Sequence, residues 1–330
     1  MRFISLTVLA LTAASCSGGD KEVVDTQPPC GVEIDETIPA AGATNFYYRG
    51  EIEFYLSDAD ETATLSIDGV TGTSYRNEDN DVVYFKPDAP LSPSTAYTAK
   101  LTYCTGEAEV GFTTSALGTS IADTSSLIGK VYSLDLQAGR VVIPEGVGSV
   151  LEQYLDIVIF MEVASADASA IRLFGALADE ANPSQQDYCS QTLAFPEADF
   201  SGAPFFEIGP ESTNIAVAGF EVTIDDLLIS GTFAGDGSYW GGGVLQGSVD
   251  TRALVPLIEE GGEDSAVCDI VAGFGVACEV CSSDGQPFCL SIKAVDLGGE
   301  EITSTDLEEI AMSDCHENCP DSAENPECML

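Results

Sequence analysis

Eleven cysteines stand in this chain of 330 residues, and their spacing raises the first chemical question. Cys278-Glu-Val-Cys281 has CxxC spacing, and Cys315-His316-Glu-Asn-Cys319 follows downstream. Paired thiolates at that spacing can share a tetrahedral zinc ion in a reducing compartment. In an oxidising compartment the same thiols close disulfides, and that outcome is expected here, with no metal and no cofactor assigned. Haem attachment needs CxxCH, but Ser282 follows Cys281.

The lone histidine, His316, is the residue that a Ser-His-Asp or Cys-His nucleophile system would need. It lies between Cys315 and Cys319 and reads as an exposed loop residue. GxSxG, HExxH, GxxxxGK[ST] and SxxK patterns are absent, so no catalytic residue is assigned and the chain is expected not to be an enzyme. Asp58-Ala-Asp60-Glu61 and Asp79-Asn80-Asp81 offer oxygens to Ca²⁺, yet neither has EF-hand spacing, and both read as solvated acidic turns. Gly241-Gly242-Gly243 with Gly247 weakly echoes a phosphate loop. No βαβ unit surrounds it, and a bent strand explains these glycines better, with Trp240 beside them in the core.

Composition narrows the partners. Lys and Arg number 11 against 55 Asp and Glu, a formal charge of -44. Such a surface repels nucleic acid and anionic lipid. Hydrophobic content of 45% with 20% charged residues fits packed cores and argues against disorder.

At the N-terminus, Arg2 precedes an apolar run from Phe3 to Leu11, the small residues Thr12 to Ser15, and Cys16. That is the order of a signal peptide, with an apolar region too short to span a bilayer. Ala13-Ala14-Ser15-Cys16 resembles the lipobox of bacterial lipoproteins, although Leu is more typical than Ala13. The resemblance implies cleavage before Cys16, lipidation of Cys16, and a membrane partner held through that lipid outside the cytoplasm. By the family's sorting rule, Ser17 implies the outer membrane in a two-membrane cell. Ten cysteines then remain, an even number: Cys30, Cys104, Cys189, Cys268, Cys278, Cys281, Cys289, Cys315, Cys319 and Cys328. All are disulfide candidates.

The elements that must position these residues read as all-β. Residues 16–29 are a polar tether reaching roughly 20 Å. Residues 30–116 read as short strands between turn signals, with Ile52, Phe54 and Leu56 on one face of the clearest. PAAGATNF (39–46), VYFKP (83–87), LSPSTAYTAKL (91–101) and FTTS (112–115) resemble the bacterial Ig-like domain of S-layer and other surface proteins. The resemblance implies a β-sandwich. Cys30 and Cys104 are the only cysteines in this region and are expected to bond to each other at its rim.

A polar linker, 117–128, leads to a larger domain over 129–330. There, strands dominate, with Ala234-Gly235-Asp236-Gly237 as a hairpin turn, helices expected over 147–154 and 251–259, and Asp250 capping the second. A second sandwich or a barrel follows, its Cys-rich end (268–328) held by disulfides that stand in for a missing core. Together these features predict a non-enzymatic envelope lipoprotein in which the Ig-like domain is a spacer for an interaction domain. Its ligand would be an envelope protein or glycan. The alternative is a lipocalin-like carrier, its C-terminal barrel enclosing a small apolar molecule.

Overall fold

Alternation builds the N-terminal domain. In Ile52–Leu56, the side chains of Ile52, Phe54 and Leu56 are buried while Glu53 and Tyr55 face outward. The computed structural model describes residues 30–144, 158–179, 181–217, 220–258, 261–303 and 307–311. Strands β1 (Ile34–Ile38), β2 (Ile52–Leu56), β3 (Thr64–Ile67), β4 (Gly72–Arg76), β5 (Val82–Pro87), β6 (Ala96–Tyr103) and β7 (Gly106–Thr113) form two antiparallel sheets. Their orders are β1-β2-β5-β4 and β3-β6-β7. Phe54, Val83 and Phe85 from one sheet meet Leu65, Ala99, Leu101 and Phe112 from the other, the packing of an Ig-like sandwich. A disulfide joins Cys30 to Cys104 at its exposed end.

One acidic turn departs from the sequence expectation. Asp60 is only 5% exposed. Its carboxylate accepts hydrogen bonds from the Thr62 amide (2.8 Å) and hydroxyl (2.6 Å) and from the Cys104 amide (2.7 Å). Burial pushes its pKa up, but these donors outweigh it and hold the carboxyl below its ordinary value. Asp60 is therefore a structural latch, tying the turn to the disulfide-bonded Cys104. Asp60→Ala is expected to cost about 1–3 kcal/mol by orphaning buried donors. Because the folded pKa is depressed, the contribution is complete above the unfolded carboxylate's value of about 3.9 and lost as pH falls through the folded one. Urea midpoints of the wild type and Asp60→Asn, compared from neutral to acid pH, should converge as the pH drops.

The C-terminal domain carries β8 (Val131–Asp135), β9 (Arg140–Ile143), β10 (Val158–Ala166), β11 (Ala170–Leu177), β12 (Leu193–Ala194), β13 (Ala198–Asp199), β14 (Phe205–Val217), β15 (Phe220–Phe233), β16 (Tyr239–Asp250) and β17 (Cys289–Ile302). They form one nearly closed sheet in the order β12-β11-β10-β8-β17-β16-β15-β14, with β13 on β11 and β9 on β17. Its seam lies between β13 and β14. The hairpin β15–β16 turns at Ala234–Ser238, where Asp236 accepts from the Ser238 amide and hydroxyl. Inside, Trp240 is 1% exposed and meets Phe206 edge to face at 5.6 Å, while Phe206 and Phe200 both pack on Phe233. The glycines have a packing reason: a Cβ at Gly231, Gly243 or Gly299 would run into the indole.

The Cys-rich segment holds a long strand that its thin apolar periodicity conceals. β17 lies between β16 and β8, and its alternation breaks where Asp296 adopts a positive φ of 60° before Gly298-Gly299. Asp250 caps a 3-10 turn, Thr251–Leu254, through the Arg252 amide, and α1 (Val255–Ile258) follows, with Pro256 tolerated in its first turn. The helix expected over 147–154 lies outside the described residues. So do Cys16, His316, Cys315, Cys319 and Cys328. Disulfides join Cys268 to Cys278 and Cys281 to Cys289, so the two CxxC thiols have different partners; Cys189 is disulfide-bonded as well. The staple over α2 (Ala266–Ala272) holds out Phe274 (55% exposed) and Val280 (66%). Near the C-terminus, Gln186 and Thr192, both buried, bind the backbone of Glu308 and Ile310 and strap that segment to the barrel.

Candidate functional site at the domain junction

Residues 117–128 connect two cores. Leu117 packs in the Ig-like core and Leu127 in the barrel core, so both ends of this segment are fixed by burial. Ala234, at the tip of the β15–β16 hairpin, is itself part of the Ig-like core, and Tyr239 packs against it. On the other side, Arg140 of β9 reaches Glu53 of β2 at 3.7 Å.

The Ig-like domain answers with Tyr47-Tyr48-Arg49, in the loop before β2. Tyr47 Oη and the fully buried Thr232 Oγ1 are 2.8 Å apart, and the Thr232 hydroxyl donates to Tyr48 Oη at 3.4 Å. Burial pushes the Tyr47 phenol up to about 12, and with the Thr232 hydrogen directed to Tyr48, the Tyr47 hydroxyl is the group left to donate in the 2.8 Å pair. Arg49 Nε–H donates to the same Tyr48 Oη at 3.0 Å, and its guanidinium carbon sits 3.8 Å from the Phe205 ring centroid. Gly242 has a φ of 63°, and a Cβ there would overlap the Tyr47 ring. Its role is close approach between domains and not the cradling of a phosphate.

Beside this contact a cleft of about 340 Å³ opens along the barrel seam. Pro196, Glu197 and Asp199 line one side; Phe205, Glu207 and Gly209 line the other. Phe205 and Glu207 point outward because Phe206 and Ile208 take the inward positions of β14. Asp199 accepts from the Ser201 amide and hydroxyl, which hold its carboxyl below the ordinary range. The lining thus combines carboxylates with the ring of Phe205, over which the Arg49 guanidinium lies.

Chain comparison agrees with the N-terminal architecture. Residues 25–108 match the bacterial Ig-like domain. The match ends inside β7, and the Ig-like domain so defined contains Tyr47-Tyr48-Arg49 and the Asp60 latch. No curated protein matches the chain. Among solved structures, L,D-transpeptidase 3 from Mycobacterium tuberculosis, in complex with a faropenem-derived adduct, is 17% identical with a TM-score of 0.20. That match covers 25% of this chain and 37% of the other, so this chain spans little more than a third of its length. An L,D-transpeptidase from Mycobacterium smegmatis is 13% identical over 60% of this chain and 76% of that one, with a TM-score of 0.23. Domains 4–9 of the surface layer protein SbsC are 10% identical over 66% and 28%, also at 0.23. None of these scores supports a shared activity.

Of the residues singled out from sequence, the disulfides stabilise the two domains at points away from this cleft. Among the described residues, no three of His, Cys, Asp and Glu converge as metal ligands would. Tyr47, Tyr48, Arg49 and Thr232 were not foreseeable as a group. The one available signal was an aromatic pair followed by arginine in a loop where polar turn residues are usual.

Proposed function

We propose that this protein is a non-enzymatic cell-envelope lipoprotein, anchored through Cys16, whose Ig-like domain and barrel form one rigid body that presents an outer binding surface. The observation that carries the reading is the junction, where Ala234 of one domain lies in the core of the other and Tyr47 and Thr232 bond across the boundary. A flexible spacer has no need of shared burial, whereas presentation at fixed geometry does. Extracytoplasmic placement is supported by the disulfides of the described residues and by the signal-like order ending at Cys16.

A carrier role inside the barrel would need inward positions that leave a space. Trp240, Phe206, Phe233 and Phe200 instead meet ring to ring, which favours the outside of the barrel as the binding surface.

Expression in a two-membrane bacterium with labelled palmitate tests the anchor. The wild type should take up the label and sediment with the outer membrane, and Cys16→Ser should do neither. A wild type that stays soluble and unlabelled would overturn the anchored reading.

A further inference from the structure

Arg49 stands out against the charge of the chain. With 55 acidic residues available, Lys86, Lys100, Lys130, Arg140 and Arg252 all reach a carboxylate. Arg49, Arg76, Arg172 and Lys293 do not; Arg76 and Arg172 donate to amide or backbone oxygens, whereas among the described residues the terminal nitrogens of Arg49 meet no acceptor and only Nε is engaged, by Tyr48. Yet the position of Arg49 is fixed. The guanidinium lies on Phe205 and is tied from behind to Tyr48 Oη, which is itself bonded to Thr232. Little rotamer freedom is left to lose, and the outward fork has the geometry that grips a carboxylate with two parallel hydrogen bonds.

Phe205 is both the platform under Arg49 and a wall of the seam cleft, so the guanidinium stands at the cleft's rim. Glu207 lies two residues along β14 on the same outward face, about 6.6 Å further on. Glu197 faces it from the opposite wall. Among the described residues, the carboxylates of Glu197 and Glu207 have no hydrogen-bond or ion-pair partner, whereas that of Asp199 is already engaged by Ser201. The cleft thus offers a cation at one end, carboxylates at the other and an aromatic floor between. A free amino acid holds its two charges about one residue apart, too close for this spacing. Two or three residues of extended chain, at about 3.3 Å each, bridge it. At about 340 Å³ the cleft is at the small end of ligand sites.

We propose that the seam cleft binds a short zwitterionic peptide of two or three residues, its carboxylate on Arg49 and its ammonium between Glu197 and Glu207. This rests on the reading of the protein as a binding protein and adds its ligand class.

The test is calorimetric titration of the full chain, purified from an oxidising host, with Ala-Ala, N-acetyl-Ala-Ala and Ala-Ala-amide. Saturable binding of Ala-Ala is expected below about 10 mM, each cap weakening it about tenfold. Arg49→Gln should weaken Ala-Ala about tenfold and leave the amide unchanged, while Glu207→Gln should do the reverse with the acetylated form. Arg49→Lys, which keeps the charge without the fork, should fall between. Equal melting midpoints show that the variants are folded. Equal binding of capped and uncapped forms, or an Arg49→Gln affinity equal to the wild type, would overturn the proposal. Absence of saturation, with no free alanine formed, would overturn the cleft site alone. Release of free alanine would instead overturn the non-enzymatic reading.

Discussion

Trp240→Ala is expected to destabilise the protein by about 3–5 kcal/mol, the range for deleting a large aromatic side chain from a packed core. Trp240 is fully enclosed, meets Phe206 edge to face, and fills the space that Gly231, Gly243 and Gly299 leave open on three adjacent strands. These strands cannot collapse into the space without breaking the ladder that joins β15, β16 and β17, so a cavity would persist. Its indole Nε1 has no hydrogen-bond partner, so the loss is one of packing. Trp240→Phe, which keeps a ring and removes the unpaired N–H, should therefore cost far less than Trp240→Ala. Because this is the chain's single tryptophan, urea unfolding of the variants is followed by far-ultraviolet circular dichroism. A cost below about 1 kcal/mol for Trp240→Ala would contradict the cradle.

Loss of the Cys30–Cys104 bridge, by the double substitution Cys30→Ser and Cys104→Ser, is expected to cost about 4 kcal/mol. The bridge closes a loop across 74 positions, nearly the whole Ig-like domain, and so removes much conformational freedom from the unfolded chain. Cys281–Cys289 spans only 8 positions, and its removal is expected to cost about 2.5 kcal/mol on the same chain-entropy argument. Denaturant midpoints of the two serine pairs give the comparison. An equal or reversed order would mean that the bridges act mainly through native-state contacts. For Cys104 such a contact exists, since its amide also donates to Asp60.

The Ig-like sandwich was legible because its core depends on period-two alternation within short strands, as in Ile52, Phe54 and Leu56. The β15–β16 turn was legible because Gly237 supplies the positive φ that the hairpin needs. Strand β17 was hidden, since a left-handed Asp296 and two glycines shift its inward set from Leu290 and Ala294 to Leu297. Asp60 resembled its solvated neighbours because, besides the local Thr62 donors, the amide that completes its site belongs to Cys104, 44 positions away. The junction is more remote still: Tyr47 and Thr232 are 185 positions apart, and no local pattern encodes that pairing. Gly242 illustrates the same limit. Its neighbours suggest a bent strand, but the ring that forbids a Cβ comes from the other domain.

Shared burial at the junction makes the two domains one rigid body. Pulsed electron-spin distance measurement tests it, with labels carried on non-cysteine residues at Glu107 of the Ig-like domain and Ser283 of the barrel domain, both exposed. One narrow distance distribution is predicted, and Gly242→Val should broaden it by forcing Tyr47 out of its seat. A distribution in the wild type as broad as in Gly242→Val would contradict the account, leaving two domains joined by a flexible tether.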